Sequence, residues 1–190
     1  MIKLRPLEKK DAKYMLEWMH DDATQLCFQK SMKAITIDEA ERFCRNAIIP
    51  KKIENGDNLH WAIVEDNDEY LGTISLKEID LIGKSAEYAI AMRPVVRGQG
   101  IAYEATKCIL KYAFINYKLE VVYLNVWDGN IAAIKLYERS GFVCAGEANS
   151  YIDYLGTVHN QKRFEITRAD YWDIISRSSL ENSALPSDER

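Results

Sequence analysis

The sequence has few residues of the kinds that form disulfides or bind zinc, and those it has are scattered. Its cysteines form no Cys-x-x-Cys pair, and its three histidines form no His-x-x-x-His pair. Structural zinc sites need closely spaced cysteines or histidines, and disulfide frameworks belong to oxidising compartments. The sequence therefore predicts no metal, a cytoplasmic location, and free thiols at Cys27, Cys44, Cys108 and Cys144.

Long hydrophobic runs are also missing. Charged residues interrupt every apolar stretch, well short of the roughly 20 apolar residues that a membrane-spanning helix needs. The first residues, MIKLRPLEKKD, lack the apolar middle section of a secretory signal. We therefore expect no membrane partner.

An excess of positive charge is absent as well. Lys and Arg number 25 against 29 Asp and Glu, which gives a formal net charge of -4. Because binding to a phosphate backbone needs a basic face, this balance argues against nucleic acid as a partner. It suits a cationic ligand such as a protonated amine.

Length and composition predict one domain. A chain of 190 residues, 47% apolar and 28% charged, can build one sizeable globular core. We assign residues 1–178 to this single domain. Residues 179–190, SLENSALPSDER, are small, polar and contain proline, and we expect them to form a flexible tail.

Hydrophobic periodicity predicts an α/β (α+β) protein. The predicted strands are residues 2–7, 61–64, 70–76, 86–92 and 121–127, followed by a hairpin around 155–156. The predicted helices begin at Asp11 and Thr36 and continue with residues 101–116, 130–140 and 170–175. The segment Thr36-Ile37-Asp38-Glu39 has the pattern of a capping box. The order predicts a mixed sheet with helices on both faces, in which strands 86–92 and 121–127 run parallel.

A glycine-rich segment, RPVVRGQGIA at residues 93–102, joins a predicted strand to a long helix. Backbone N–H groups at a helix N-terminus attract phosphate. A P-loop is excluded because no Lys-Ser or Lys-Thr follows, and Tyr103 stands where a dinucleotide fingerprint needs a small residue. The pattern [RQ]-x-x-G-x-[GA] remains, met by Arg97, Gly100 and Ala102. An ordinary glycine turn remains the alternative.

A second motif, Asn130 to Phe142, follows the predicted strand VVYLNVW. Asn130 is a favourable N-cap, and Ala133, Leu136 and Tyr137 then share one helix face. Tyr137 is therefore either a functional tyrosine or a core-facing one.

Together, SAEYAIAMRPVVRGQGIAYEATKCILKYAF and N-x-x-A-x-x-L-Y-x-x-x-G-F resemble the GNAT acetyltransferase superfamily. The resemblance covers nearly the whole chain. It is strongest to the branch of ribosomal-protein-alanine, spermidine and amino-sugar acetyltransferases. It implies a three-layer fold, with a mostly antiparallel mixed sheet whose central parallel pair is splayed, and acetyl-CoA as acyl donor.

The resemblance also implies roles for individual residues. Backbone groups near Ile90, Ala91 and Met92 would orient the pantetheine arm of acetyl-CoA. Asn130 would lie beside that arm, and Tyr137 would act as general acid toward the departing thiolate. The backbone amides that would hold the diphosphate are those of Arg97, Gly98, Gln99, Gly100, Ile101 and Ala102.

An acetyl acceptor must lose a proton. An alkyl ammonium with a pKa near ~10 is almost fully charged at pH 7, a handicap of roughly 4 kcal/mol. Glu87, on the strand that enters the cleft, is the candidate base, directly or through water. Alternatively, Glu87 binds the acceptor cation or caps the sheet. Further candidates for the acceptor side are Asp21, Asp22, Phe28 and Trp61.

Three functions remain open from the sequence. The first is acetylation of a primary amine on a small molecule, of polyamine or amino-sugar type. The second is acetylation of a protein N-terminus. The third is a coenzyme-binding module without turnover, against which the intact motif residues argue. Homodimers are common in the superfamily, but the sequence does not decide the oligomeric state.

Overall fold

The computed structural model describes residues 1–28 and 30–183, with side chains up to residue 177. The strands are β1 (Lys3–Pro6), β2 (Leu59–Val64), β3 (Tyr70–Asp80), β4 (Ser85–Met92), β5 (Val121–Trp127), β6 (Val143–Ile152) and β7 (Val158–Thr167). The α-helices are α1 (Ala12–Met19), α2 (Asp22–Gln25), α3 (Ile37–Asn46), α4 (Ile101–Lys111), α5 (Ile131–Arg139) and α6 (Arg168–Ser183). Short 3-10 turns precede α1 and α4.

The strands form one mixed sheet in the order β1-β2-β3-β4-β5-β7-β6. Neighbouring strands are antiparallel except β4 and β5, which are parallel. The predicted fold class and the parallel pairing are therefore confirmed.

Apolar side chains pack on both faces of the sheet, which makes three layers. On one face α4 contributes Ala105 and Ile109, both fully buried, to the larger cluster. On the other face α1 and α3 contribute Met15 and Ala40 to a second cluster. The sheet therefore lies between α4 on one face and α1 and α3 on the other.

Capping chemistry starts α3 where the sequence predicts it. The Thr36 hydroxyl accepts from the Glu39 N–H at 3.3 Å, and the Glu39 carboxylate accepts from the Thr36 N–H at 2.8 Å. The capping box satisfies two N–H groups that the first turn of a helix leaves free.

Several boundaries differ from the prediction. A shift in register between Lys77 and Asp80 carries β3 beyond residue 76, where Glu78 takes a φ of 48°. The long helix ends at Lys111 and continues as a π-helical turn to Asn116. The last helix is longer than residues 170–175 and enters the stretch expected as a tail, whose residues 184–190 lie outside the described part.

The central parallel pair separates along its length. Hydrogen-bonded register joins Ser85–Glu87 of β4 to Val121–Tyr123 of β5 and then stops. Both strands continue, β4 to Met92 and β5 to Trp127. A V-shaped opening in the middle of the sheet results, which we call the β4–β5 opening.

Candidate active site

Backbone groups of β4 line one wall of the β4–β5 opening. The Arg93 N–H donates to the Leu71 carbonyl of β3 at 2.9 Å. Because strand backbone groups alternate in direction, Ala91 also faces β3, whereas Ile90 and Met92 face the opening. Of the three residues predicted to orient a pantetheine arm, Ile90 thus offers its backbone groups to a ligand there, and Met92 offers its N–H, since Arg97 already donates to the Met92 carbonyl.

The glycine loop lies between β4 and α4 and presents a row of backbone N–H groups. From Gly98 to Ala102, five consecutive N–H groups have no hydrogen-bond partner among the residues that the structure describes. The Arg97 N–H differs, because it donates to the Pro94 carbonyl at 3.3 Å. The amides of residues 98–102, at the positive end of the α4 dipole, fit a diphosphate.

Glycine is needed in this loop for its backbone conformation. Gly98 and Gly100 have φ values of 76° and 78°, in the left-handed region that residues with a Cβ avoid. A Cβ on either glycine would meet no atom within 4 Å. The space next to both residues is therefore open toward any ligand.

A cleft of about 430 Å³ continues from the glycine loop, and its walls include Gln99, Gly100 and Arg139. The Arg139 guanidinium lies 4.2 Å from the centre of the Tyr103 ring of α4. This arginine places a positive charge beside the row of free amides. No sequence motif pointed to Arg139. The available signal is its place in the last turn of the helix that Asn130 begins.

The side chain of Arg97 turns away from the glycine loop. Its Nη2 lies 2.7 Å from Asp21 Oδ2, 2.6 Å from Thr24 Oγ1 and 3.5 Å from the Met92 carbonyl. Asp21 also accepts from the Thr24 N–H as the N-cap of α2. Although desolvation opposes it, these hydrogen bonds hold the pKa of Asp21 below its usual range. Arg97 thus joins the loop to the segment before α2.

Tyr137 projects from α5 into an aromatic cluster. Its ring lies 5.7 Å from Tyr88, 5.9 Å from Phe142 and 6.4 Å from Phe164, measured between centroids. The residue is only 8% exposed, and its hydroxyl makes no hydrogen bond to the described residues. Burial raises the pKa of Tyr137 well above its usual value, so the hydroxyl keeps its proton at neutral pH.

The end of α5 fixes the position of Tyr137. Gly141 has a φ of 93°, and its N–H donates to the Glu138 carbonyl at 3.1 Å. The Phe142 N–H then donates to the Tyr137 carbonyl at 3.0 Å. A glycine in this conformation ends the helix, and the reversed chain brings Phe142 against the Tyr137 ring.

Asn130 begins α5 and contacts a cysteine from a distant part of the chain. Its Oδ1 accepts from the Ala133 N–H at 3.2 Å, which confirms the predicted cap. Its Nδ2 lies 3.6 Å from Cys27 Sγ. No local sequence pattern assigns Cys27 to this site, since the two residues are 103 positions apart.

Glu87 lies at the closed end of the β4–β5 opening. It is opposite Tyr123, in the last pair that β4 and β5 share, and its carboxylate is 2.7 Å from Lys77 Nζ. Since side chains alternate along a strand, Glu87 projects from the opposite face to Tyr88, the neighbour of Tyr137. The structure thus places Glu87 and Tyr137 on different faces of the sheet.

The further acceptor-side candidates do not gather at one place. Asp22 pairs with Lys33, and Phe28 stacks on Trp18. Trp61 is 3% exposed and packs in the core. Of this group, Asp21 alone contacts a residue of the glycine segment, through Arg97.

Within the described residues, no group of three or more acidic, histidine or cysteine side chains could hold a metal ion. In the same part of the chain, no helix combines the length and apolar character needed to cross a bilayer. All four cysteines are free thiols.

Comparison with known proteins gives consistent matches. The family described as acetyltransferase (GNAT) domain matches residues 2–143. Spermidine N(1)-acetyltransferase of Escherichia coli K12 is 29% identical over 171 residues, which cover 90% of this chain and 88% of that protein. Acetyltransferase PseH of Campylobacter jejuni (strain 81-176) is 27% identical over 155 residues, 80% of this chain and 90% of that protein.

A solved structure has a similar fold. The crystal structure of spermidine N-acetyltransferase from Vibrio cholerae in complex with CoA and spermine matches with a TM-score of 0.77 and 26% identity. The match covers 90% of this chain and 98% of that one.

Proposed function

The chain belongs to the acetyltransferase (GNAT) family, and from this premise we propose that it transfers the acetyl group of acetyl-CoA to a primary amine of a small molecule. The observation that carries the proposal is the row of free N–H groups at residues 98–102, beside an opening in the sheet. If the loop holds the diphosphate, the rest of acetyl-CoA would extend along the side of β4 that faces the β4–β5 opening.

In this proposal the donor binds through backbone groups. The loop amides hold the diphosphate, and Ile90 and Met92 pair with the amides of the pantetheine arm. The Asn130 side chain lies beside that arm. Acetyl-CoA supplies an activated acyl group, and the residues of the chain orient it and exclude water.

Two side chains handle protons. The Tyr137 hydroxyl, protonated at neutral pH, gives a proton to the departing thiolate. Glu87 accepts the proton of the amine. Because Glu87 projects from the other face of the sheet, we propose that this proton passes through water.

The charges of the candidate acceptor-side residues bear on the type of acceptor. Three carboxylates considered for the acceptor side are already paired with basic residues, Asp21 with Arg97, Asp22 with Lys33 and Glu87 with Lys77. A polyamine would have to displace these partners to place its several positive charges. The pairing therefore favours an acceptor with one amine, such as an amino sugar, over a polyamine. The relatives include acetyltransferases named for spermidine, so both types belong in the test.

The test is release of coenzyme A thiol from acetyl-CoA in the presence of spermidine, a nucleotide-linked amino sugar, or a peptide with N-terminal alanine. We expect turnover with a small amine and none with the peptide. Turnover with the peptide alone would favour a protein acetyltransferase. Coenzyme binding without turnover on any amine would favour a binding module.

A pair of glycine variants tests the donor site. Gly100→Ala places a Cβ at a φ of 78°, and Gly56→Ala does the same at 88° in a distant turn, both in open space. The backbone cost is similar, roughly 1–2 kcal/mol for each. We expect only Gly100→Ala to raise the Kd for acetyl-CoA, by about tenfold or more. Equal Kd values for the two variants would contradict the proposed loop.

Two broader features belong to the same proposal. We propose a cytoplasmic location, which the four free thiols support because reducing compartments keep cysteines unpaired. A homodimer remains the expected assembly for the superfamily, and sedimentation of the purified chain would test it.

A further inference from the structure

Cys27 lies beside groups to which the proposed reaction assigns the pantetheine arm, yet that reaction does not use it. Its Sγ lies 3.6 Å from Nδ2 of Asn130 and 4.0 Å from the Ala23 carbonyl. The residue is exposed and its thiol is free. A reagent can therefore reach the sulfur from solvent, next to the side chain that begins α5.

A second observation points to a ligand at the same place. Tyr137 is 8% exposed, and its hydroxyl has no hydrogen-bond partner among the residues described. Among the described residues no buried side-chain nitrogen or oxygen lacks a hydrogen-bond partner, so this unpaired hydroxyl lies where solvent or a ligand can reach it. Burial is the main cause of the raised pKa of Tyr137, and the nearby Cys27 sulfur is the second. The thiol and the hydroxyl thus lie near each other, beside the helix that Asn130 begins and that carries Tyr137.

We propose that Cys27 is a site of mixed-disulfide formation with coenzyme A. The inference rests on the proposed function, because the glycine loop must first hold the nucleotide end of the coenzyme. With the diphosphate on the loop and the arm beside Asn130, the coenzyme sulfur comes within reach of Cys27, which contacts Asn130.

The reaction needs an oxidised form of the coenzyme, coenzyme A disulfide. The Cys27 thiolate attacks the sulfur of the bound half, a bond forms between these two sulfurs, and the disulfide bond of the reagent breaks. The other half leaves as a thiolate and takes up the proton that Cys27 released. The Cys27 sulfur is oxidised, and the departing sulfur is reduced to coenzyme A thiol.

Binding of the coenzyme to the glycine loop compensates for the low reactivity of the Cys27 thiol. Desolvation raises the pKa of the Cys27 thiol, as does Asp21, whereas Asn130 and Arg97 lower it, with a net increase. A small fraction is thiolate at neutral pH, and simple disulfides will react slowly. A reagent held by the glycine loop reacts at a high effective concentration. Selectivity for coenzyme A disulfide over other disulfides is therefore the signature of this site.

The adduct has a functional consequence. A coenzyme attached to Cys27 occupies the donor site, and acetyl-CoA cannot enter until the disulfide is reduced. Oxidation of the coenzyme pool would in this way switch the protein off, and a thiol reductant would restore it.

The experiment uses the full chain and two disulfides, coenzyme A disulfide and glutathione disulfide. Binding of acetyl-CoA and turnover of the reduced protein are measured first, so that a failure of the proposed function is seen separately. Adducts are then located by intact mass and peptide mapping. Cys27→Ser removes the reactive thiol, and Cys144→Ser removes another exposed thiol, on β6, as the matched control.

We expect coenzyme A disulfide to modify Cys27 at least about tenfold faster than glutathione disulfide does. Saturating acetyl-CoA should slow the modification by a similar factor. Turnover should fall in step with the adduct and return on reduction, in wild type and Cys144→Ser alike. In a chain that binds acetyl-CoA, equal rates for the two disulfides, absence of an adduct, or modification centred on Cys144 would overturn the inference. A chain that does not bind the coenzyme would overturn it together with the proposed function.

Discussion

The guanidinium of Arg97 and the carboxylate of Asp21 form an ion pair, with 2.7 Å between Nη2 and Oδ2. The two residues are 76 positions apart in the sequence. One belongs to the glycine loop proposed to hold the donor, and the other precedes the short helix α2. The pair therefore connects the donor loop to the segment that leads to Cys27.

Asp21→Asn tests this connection. We expect the KM for the amine to rise on the order of fivefold, because the segment before α2 loses an anchor worth ~1 kcal/mol. The Kd for acetyl-CoA should stay the same or fall, since Arg97 becomes free to meet phosphate. Asp22→Asn is the matched control, because it removes the neighbouring charge, which pairs with Lys33. Weaker acetyl-CoA binding with an unchanged amine KM would contradict this view of the pair.

Tyr137→Phe should slow the reaction without abolishing it. We expect kcat to fall about 10- to 100-fold, at the low end for a general acid because a thiolate leaves easily. Since burial raises the pKa of Tyr137, the wild-type profile of kcat against pH should show no loss from this hydroxyl up to about pH 10. Steady-state kinetics across pH measure both effects.

The control for this variant is Tyr88→Phe. The Tyr88 ring is in the same aromatic cluster, but its hydroxyl is buried and hydrogen-bonded to Thr106 Oγ1 at 2.8 Å. Its loss should leave kcat within about twofold of wild type, as expected for a residue outside the chemistry. Equal losses in the two variants would mean that Tyr137 acts through packing alone.

The sequence predicted the residues of the proposed donor site because their signals are local. It did not predict the side-chain contacts that join distant parts of the chain. The glycine loop and the Asn130 cap depend on residues within a few positions, where φ limits and capping preferences act directly. The contacts of Arg97 with Asp21 and of Asn130 with Cys27 span 76 and 103 positions. Such contacts follow from tertiary packing, and no sequence period encodes them.

For Glu87, too, the sequence predicts the local position but not the tertiary contacts. The sequence places it correctly on the strand that enters the opening. Its ion pair with Lys77 depends on the register between β3 and β4, which a bulge alters after Lys77. Because side chains alternate along a strand, Glu87 and Tyr88 must project from opposite faces of the sheet. Which of these faces carries Tyr137 depends on how the helices pack.

Glu87→Gln separates a base from a structural carboxylate. As a base acting through water, Glu87 should contribute on the order of 10²-fold to the rate at pH 7. The deficit should narrow as pH rises toward the amine pKa of about 10, because solution then removes the proton. Rates against pH for the variant and wild type measure this. Glu165→Gln, which removes a carboxylate paired with Arg163 on β7, should show no such pH-dependent recovery. A Glu87→Gln rate equal to wild type at pH 7 would exclude Glu87 as the base.

The buried pair of Asp153 and His159 should make the β6–β7 hairpin sensitive to acid. Asp153 is 4% exposed, and its Oδ2 lies 2.8 Å from His159 Nε2. That hydrogen bond, with others from backbone N–H groups, holds the pKa of Asp153 below its usual value despite desolvation. The fold thus favours the charged carboxylate. The stabilisation is complete above the unfolded pKa of about 4 and disappears as pH falls through the lower folded value.

Asp153→Asn should therefore lower the urea midpoint at pH 7, and its difference from wild type should shrink as the pH is lowered toward 3. The hairpin end also holds Tyr151, whose hydroxyl donates to the Leu26 carbonyl at 2.5 Å, so acid should loosen the segment next to Cys27 as well. Urea titrations at several pH values measure the stability difference. Asp173→Asn, at an exposed position on α6, controls for the loss of one negative charge and should change the midpoint little at any pH. A difference between Asp153→Asn and wild type that grows as the pH falls would contradict the assigned direction of the pKa shift.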